Sequence, residues 1–128
     1  MNKINLNDLQ LKTFTKQDVL DYCLLNDINI DNITELYLWN NELTDISGVG
    51  LFKNLEKLNL AYNKLTNISV IQNLNKLKLL NIRSLELESD QIQYIQFLNN
   101  LKKLFCHNGF KDMSVLNKLN KKIKVYLF

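Results

Sequence analysis

Two stretches of this 128-residue chain, ITELYLWNNELTDI at residues 33–46 and LEKLNLAYNKLTNI at residues 55–68, align without a gap at a spacing of 22 residues. Apolar residues coincide at five aligned positions, and Asn41 falls on Asn63. Self-similarity at a fixed period is typical of repeat proteins, in which each copy forms the same small structural unit. The chain is therefore predicted to be an array of such units.

The pattern continues beyond residue 68. Further units begin at LKLLNI (77–82) and LKKLFC (101–106), and a last strand-like piece is IKVYLF (123–128). The first inward-facing strand position recurs at intervals of 22, 22, 24 and 21 residues, at Leu36, Leu58, Leu80, Leu104 and Val125. The predicted repeats lie at about 33–54, 55–76, 77–100 and 101–121, with a partial repeat at 122–128.

Each unit contains an L-x-L motif whose alternation has a structural meaning. Successive side chains of a strand point to opposite faces, so the two leucines face inward and their neighbours face outward. One turn cannot bury its own apolar face, whereas stacked turns form a parallel sheet over one continuous core. The motif predicts an α/β solenoid with helical or 3-10 turns on its convex side.

The consensus LxxLxLxxNxLxxI resembles the leucine-rich-repeat family, in particular its 22-residue class of SDS22-like regulators and internalins. The resemblance covers about residues 33–128. It implies a short parallel sheet on a concave face and an Asn whose amide bonds the backbone of neighbouring turns. This sequence departs from the pattern at Leu85, which replaces the Asn, and it keeps Asn108 only if one residue is deleted just before it.

Residues 1–32 are predicted to form an N-terminal cap. TKQDVLDYCLLNDI (15–28) is typical of an amphipathic helix over about 16–26, and Thr15 with Asp18 resembles a capping box. The expected buried stripe of this helix is Val19, Tyr22, Cys23 and Leu24. Such a helix would cover the apolar edge of the first turn, as the terminal units of solenoids require.

The C-terminal side differs, because the strand pattern runs on to Phe128. Residues 1–50 contain three lysines and eight acidic residues, whereas residues 101–128 contain seven lysines and one acidic residue. An exposed last strand is a template for pairing with another chain. Three explanations stay open: a short protein whose edge lysines guard it, a fragment of a longer array, or an edge buried by homo-oligomerisation.

The strand side chains that alternate with the leucines are predicted to form the binding surface, here called the concave face. The only Trp, Arg and His of the chain fall there, and Trp, Tyr and Arg are over-represented at binding hot spots. Plain packing between strands is the alternative, because aromatic residues favour pleated surfaces. The predicted partner-binding residues are Tyr37, Trp39, Asn59, Tyr62, Asn81, Arg83, Phe105, His107 and Tyr126.

The usual parts of an active site or metal site are missing from the sequence. A single His cannot form a metal cluster, and the three glycines fit no phosphate-binding pattern. Cys106 and His107 are neighbours, but alternation sends them to opposite faces of a strand. The sequence therefore predicts no enzyme activity, no cofactor and no metal.

The two cysteines, Cys23 and Cys106, fit no ligand spacing and are expected to be reduced core thiols, as in a reducing compartment. The chain lacks a signal-peptide pattern and an apolar run long enough to span a bilayer. A cytoplasmic protein with no membrane partner is therefore expected. Binding of nucleic acid is disfavoured, because the pI of about 8.8 is modest and Glu35 heads the same row as the face lysines.

Together these features favour an interaction scaffold or adaptor that binds a partner protein through the concave face. The family resemblance implies this class of role and names no partner. The alternative is a self-assembling structural solenoid that associates through its open C-terminal edge and its oppositely charged ends. Nucleic-acid binding is the least favoured function of the three.

Overall fold

Six short parallel strands form one sheet, in chain order, in the computed structural model, which describes residues 1–128. Each strand pairs in register with the next, so that Leu36, Leu58 and Leu80 lie side by side. The predicted solenoid is confirmed. The strands are β1 (Lys3–Asn5), β2 (Glu35–Tyr37), β3 (Lys57–Asn59), β4 (Leu79–Asn81), β5 (Lys103–Phe105) and β6 (Lys124–Tyr126).

Helical segments on the convex side connect the strands. A crossover between parallel strands must span the sheet, and a 22-residue repeat leaves room for little more than one helical turn. Most connections are accordingly 3-10 turns, whereas the first is a helix, α1 (Lys16–Leu25). The 3-10 turns are Ile30–Asn32, Ser47–Leu51, Ser69–Asn73, Ser89–Ile92, which continues into α2 (Gln93–Gln96), and Met113–Lys118.

The core lies between the sheet and the helical turns. The four leucines at the first inward position of β2 to β5 are fully buried, and so are the residues two places further on. Burying a leucine contributes about 1.5–3 kcal/mol, so the stacked slots supply most of the apolar stabilisation of the array. The eight residues are Leu36, Leu58, Leu80 and Leu104, followed by Leu38, Leu60, Ile82 and Cys106.

The N-terminal residues contain a strand that the sequence analysis did not assign. β1 pairs with β2, and Ile4 lies opposite Leu36. Ile4 and Leu6 are buried in the slots that the leucines of later turns occupy. Residues 1–32 therefore form a turn of the solenoid whose convex segment is α1. The 22-residue alignment misses this turn because it is longer, with 32 residues between Ile4 and Leu36.

α1 begins with the capping box that its sequence indicates. The backbone N–H of Asp18 donates to Thr15 Oγ1 at 3.2 Å, and the Asp18 carboxylate accepts from the backbone N–H of Thr15 at 2.9 Å. Val19 and Cys23 are buried, but Leu24 is 85% exposed and does not belong to the stripe. At about 100° per residue, Leu24 lies well round the helix from the line of Val19 and Cys23.

The motif asparagines join adjacent turns through their side-chain amides. Asn63 Nδ2 donates to the carbonyls of Leu38 and Leu60 at 2.9 Å each, and its Oδ1 accepts from the N–H of Leu43 at 3.0 Å. Asn41 does the same one turn earlier, where Oδ1 accepts from two N–H groups of the first turn. Both side chains are buried, so each amide pairs backbone groups that water cannot reach.

The later repeats depart from the motif in a different way from that expected. Asn108 has a φ of 53°, the left-handed value that Asn40 and Tyr62 also adopt at the preceding motif position. No residue is deleted before Asn108, and Gly109 stands where the motif Asn would be. Leu85 fills that place in the third repeat and is buried. The turn there is bonded instead through backbone, with Leu87 N–H donating to Gly109 O at 2.8 Å.

The C-terminal edge of the described chain is open. β6 pairs with β5 on one side only. Val125 lies in register with Leu104, yet it is 36% exposed where Leu104 is fully buried. No further turn of these 128 residues covers it. Leu127, two places further on, is exposed as well.

Candidate protein-binding face

The strand register places the predicted binding residues in two rows across the concave face. Tyr37, Asn59, Asn81, Phe105 and Tyr126 are paired positions of successive strands. Trp39, Arg83 and His107 stand two residues later in their turns, and Tyr62 stands one place beyond that row. β1 extends the first row with Asn5, which pairs with Tyr37 and which the sequence analysis did not include.

The first aromatic group of the face joins β2 and β3. The Trp39 and Tyr62 rings meet edge to face, with centroids 5.9 Å apart and an interplanar angle of 79°. Tyr62 is 46% exposed, because its left-handed backbone (φ 58°) turns it out of the strand. Trp39 is half-buried. This pair therefore offers a fixed apolar ledge with one ring open to solvent.

Tyr37 beside this pair is tied into the sheet. Its hydroxyl donates to Glu35 Oε1 at 2.5 Å, and the Lys3 ammonium lies 5.8 Å from its ring centroid. Burial, with the nearby Glu35 carboxylate, raises the pKa of Tyr37 to about 12. The hydroxyl thus keeps its proton at neutral pH and remains a hydrogen-bond donor.

The two predicted asparagines between the aromatic groups serve the backbone. Asn59 Oδ1 accepts from Ala61 N–H at 3.0 Å, and Asn81 Oδ1 accepts from Arg83 N–H at 3.1 Å. Asn81 is only 6% exposed. Each forms an Asx-type turn that ends its strand. Asn5 makes the same bond to Asn7, so the recurrence of Asn at this strand position was a sequence signal for a structural role.

A second aromatic group covers the C-terminal half of the face. Phe105 and Tyr126 stack nearly parallel, with centroids 4.7 Å apart and an interplanar angle of 14°. Phe128 meets both rings edge-on, at 6.3 and 5.6 Å. The Arg83 guanidinium lies over Phe105 at 4.8 Å and near Phe128 at 5.6 Å. Phe128 thus belongs to the face, although it was not among the nine predicted binding residues.

His107 and Cys106 point to opposite faces of the chain, as alternation requires. His107 is exposed on the concave face, whereas Cys106 is fully buried in the core. Burial raises the pKa of the Cys106 thiol to about 11. Very little thiolate therefore exists at neutral pH, and a thiolate is the reactive form of cysteine. The two residues do not form a nucleophile and base.

Two further findings concern metals and membranes. No three His, Cys, Asp or Glu side chains come together in an arrangement that would hold a metal ion. The longest helix, α1, has ten residues, and none of the helices has the length and apolar character of a membrane span.

The charges of the concave face are mostly positive. Lys57, Lys103 and Lys124 occupy one row on β3, β5 and β6, and Arg83 follows β4. Glu35 is the one acidic residue among the strand positions of the face, and its carboxylate already accepts from Tyr37. From β3 onward the face therefore combines cationic and aromatic groups without an acidic group.

The fold and the face can now be compared with known proteins. A family model described as Leucine Rich repeats (2 copies) matches residues 31–73. No curated protein matches the chain in sequence. Among solved structures, an internalin (inlF) from Listeria monocytogenes is similar, with 31% sequence identity and a TM-score of 0.67. The similarity covers 78% of this chain and 29% of the internalin, so the chain spans less than a third of that protein's length.

Both matches concern the repeats described above. Solenoids of this kind present an extended concave surface for binding, and leucine-rich-repeat proteins generally act as protein-interaction scaffolds rather than as enzymes. The 22-residue period, the six-stranded parallel sheet and the two matches together show that this chain is a leucine-rich-repeat protein.

Proposed function

We propose that this chain is an interaction scaffold or adaptor that binds a partner protein on its concave face, and that it has no catalytic activity of its own. The observation that carries the proposal is the Trp39–Tyr62 pair, an ordered aromatic ledge that neighbouring residues do not cover completely. Aromatic residues in such half-buried positions are typical anchors of protein interfaces. The second aromatic group around Phe105 lengthens the available surface across three more strands.

Trp39→Ala is expected to weaken capture of the partner by about 30-fold or more, the effect of losing a hot-spot aromatic. The measurement is affinity capture from the source cell extract with wild-type and variant baits, quantified by mass spectrometry. The partner is then purified and its Kd measured by calorimetry. Circular dichroism should show little change in fold, since the residue lies outside the leucine slots.

Phe97→Ala is the matched control, because Phe97 is also an exposed aromatic residue (73%) but follows α2 on the convex side. It should capture the partner as the wild-type chain does. Equal capture by Trp39→Ala and wild type would exclude the concave face as the binding surface. Loss of capture in Phe97→Ala alone would assign binding to the convex side.

Self-association is the second candidate function. The exposed apolar residues of the open β6 edge, Val125 and Leu127, favour it. The other end of the array carries an apolar groove of about 520 Å³ that includes Leu6, Leu9 and Phe14, with Asp18 and Asp21 in its lining. A basic end and an acidic end would attract each other, and this attraction weakens as salt screens it.

Sedimentation velocity at low and high salt tests this alternative. Head-to-tail association predicts oligomers at about 50 mM salt that dissociate as the ionic strength rises through the range where the Debye length falls below about 10 Å. A monomer at high protein concentration and low salt would rule out self-association of this chain.

A cytoplasmic setting is part of the proposal. Both cysteines support it, because Cys23 and Cys106 are buried and unpaired. Free buried thiols are typical of proteins that fold in reducing compartments.

A further inference from the structure

We propose that Arg83 is a carboxylate receptor within the concave face, so that the partner protein presents an acidic side chain or a C-terminal carboxylate at this point. The inference rests on the proposed protein-binding function and specifies the chemistry of the partner. Four features carry it: the way the guanidinium is held, its free donors, the charge around it, and the state of the neighbouring rings.

The guanidinium of Arg83 is held in place before any partner arrives. β5 lies between β4 and β6, so Arg83 reaches Phe105 from one side while Tyr126 stacks on it from the other. Arg83 Nε also donates a hydrogen bond to the carbonyl of Phe128. A planar guanidinium fixed by stacking and by one hydrogen bond loses little entropy when it binds a ligand.

The remaining donors of this guanidinium are free. Neither Nη group has an acceptor within the protein, and Arg83 is absent from the three ion pairs, which all involve lysine. The two Nη groups form the edge of the fork that binds a carboxylate. Since Nε is already bonded to Phe128, an incoming carboxylate would meet the Nη edge.

The surroundings of Arg83 favour an anion. Lys103 and Lys124 lie on the next two strands, and Lys57 lies on the preceding one. Glu35 is two strands away on β2, about 10 Å at the usual strand spacing, and is bonded to Tyr37. No acidic side chain of the chain competes for the site, and the flanking lysines attract a carboxylate at longer range.

A protein carboxylate fits these features better than a nucleic acid does. Single-stranded nucleic acids bind mainly by stacking their bases on open aromatic faces. Here both sides of the Phe105 ring are occupied, by Arg83 and by Tyr126, while Phe128 packs edge-on against both Phe105 and Tyr126. The group is closed to an inserted base, whereas the guanidinium edge remains accessible to a carboxylate.

The test uses the fact that Arg83 is the only arginine in the chain. With labelled arginine, the Nη–Cζ correlations in an NMR spectrum belong to one residue. The probe is a blocked pentapeptide in which glutamate alternates with leucine, and its control is the same peptide with glutamine in place of glutamate. The acidic peptide is expected to shift the Arg83 Nη signals saturably and to bind at least about tenfold more tightly than the neutral one.

Variants separate a specific carboxylate contact from general attraction. Arg83→Lys keeps the charge but lacks the fork, and it should weaken binding of the acidic peptide by about tenfold. Lys118→Gln removes a positive charge on the convex side and should leave binding nearly unchanged. An equal loss in both variants would show attraction by net charge alone and would overturn the proposal.

The other outcomes are also decisive. If the acidic peptide leaves the Arg83 signals unmoved, Arg83 is not a carboxylate receptor. If an oligouridine shifts them and the peptide does not, the site serves nucleic acid and the proposal fails. Equal binding of the acidic and neutral peptides would remove the carboxylate but leave a protein-binding face, which the Trp39→Ala capture experiment tests separately.

Discussion

Replacing Asn63 with alanine is expected to lower the free energy of unfolding by about 3 kcal/mol or more, a large part of the 5–15 kcal/mol typical of a small domain. The Asn63 amide pairs Leu43 N–H in one direction and the carbonyls of Leu38 and Leu60 in the other. Alanine would leave these buried groups without partners, at about 1–3 kcal/mol for each group that water cannot reach. The measurement is the urea midpoint of unfolding, followed by far-ultraviolet circular dichroism.

Asn73→Ala provides the matched control for this prediction. Asn73 is an exposed residue at the end of the 3-10 turn Ser69–Asn73, so its replacement should change stability by no more than about 0.5 kcal/mol. If the two variants unfold at the same urea concentration, the amide of Asn63 does not hold adjacent turns together.

The third repeat shows what the absence of this amide does to the chain. Leu85 occupies the equivalent place, and the N–H of Leu65, the counterpart of Leu43, has no acceptor in the structure. The chain there adopts left-handed backbone at both Ser84 and Glu86. The second and third repeats therefore lack one side-chain link that the first and second repeats have. The region that follows, with α2, is also where the repeat is longest.

The leucine positions could be predicted from sequence because they depend only on alternation and period. Alternation fixes which residues of a strand face the core, and the 22-residue period fixes which strands are neighbours. The strand containing Ile4 escaped this reasoning because its turn is 32 residues long and has no aligned copy. A period search cannot detect a unit that occurs once, whereas the apolar alternation of Ile4 and Leu6 was visible.

The membership of the concave face was also predictable, but the condition of its side chains was not. Alternation placed Asn81 and Arg83 on this face. It could not show that Asn81 is buried and bonded to the Arg83 backbone, or that Arg83 is stacked on Phe105. These contacts join strands that are adjacent in space but 20 or more residues apart in sequence, and they depend on side-chain rotamers. For the same reason, Arg83→Ala would disturb the C-terminal edge as well as any partner contact.

Glycine positions were the least informative part of the sequence, because all three glycines could be assigned only to turns. The structure separates Gly48 from Gly50 although they are two residues apart. Neither has a positive φ, so backbone conformation does not require glycine at either place. The difference lies in space: the backbone at Gly48 packs directly against the start of α1, and Gly48 N–H donates to Phe14 O at 2.8 Å.

Gly48→Ala is therefore expected to destabilise the chain by about 3 kcal/mol, at the upper end of the usual range for overpacking. A Cβ at position 48 would lie 2.5 Å from Val19 Cγ2 and closer still to the carbonyl oxygen of Thr15, which is backbone and cannot turn aside. The capping residue of α1 would have to move, and the turn formed by residues 1–32 would separate from the rest of the array. Thermal unfolding and hydrogen exchange of the α1 amides measure the two effects.

Gly50→Ala makes this prediction sharp, because general propensity would give both substitutions the same sign. At Gly50 the new Cβ would meet only Val70 Cγ2, at 3.0 Å, and a side-chain methyl can shift. Since alanine restricts the unfolded chain more than glycine does, Gly50→Ala should be neutral or stabilising by up to about 1 kcal/mol. Equal stability of the two variants would mean that α1 does not pack on Gly48 as described. A loss confined to Gly48→Ala, with exchange accelerated in α1, would instead show that this one backbone contact fixes the first turn to the repeats carrying Trp39 and Tyr62.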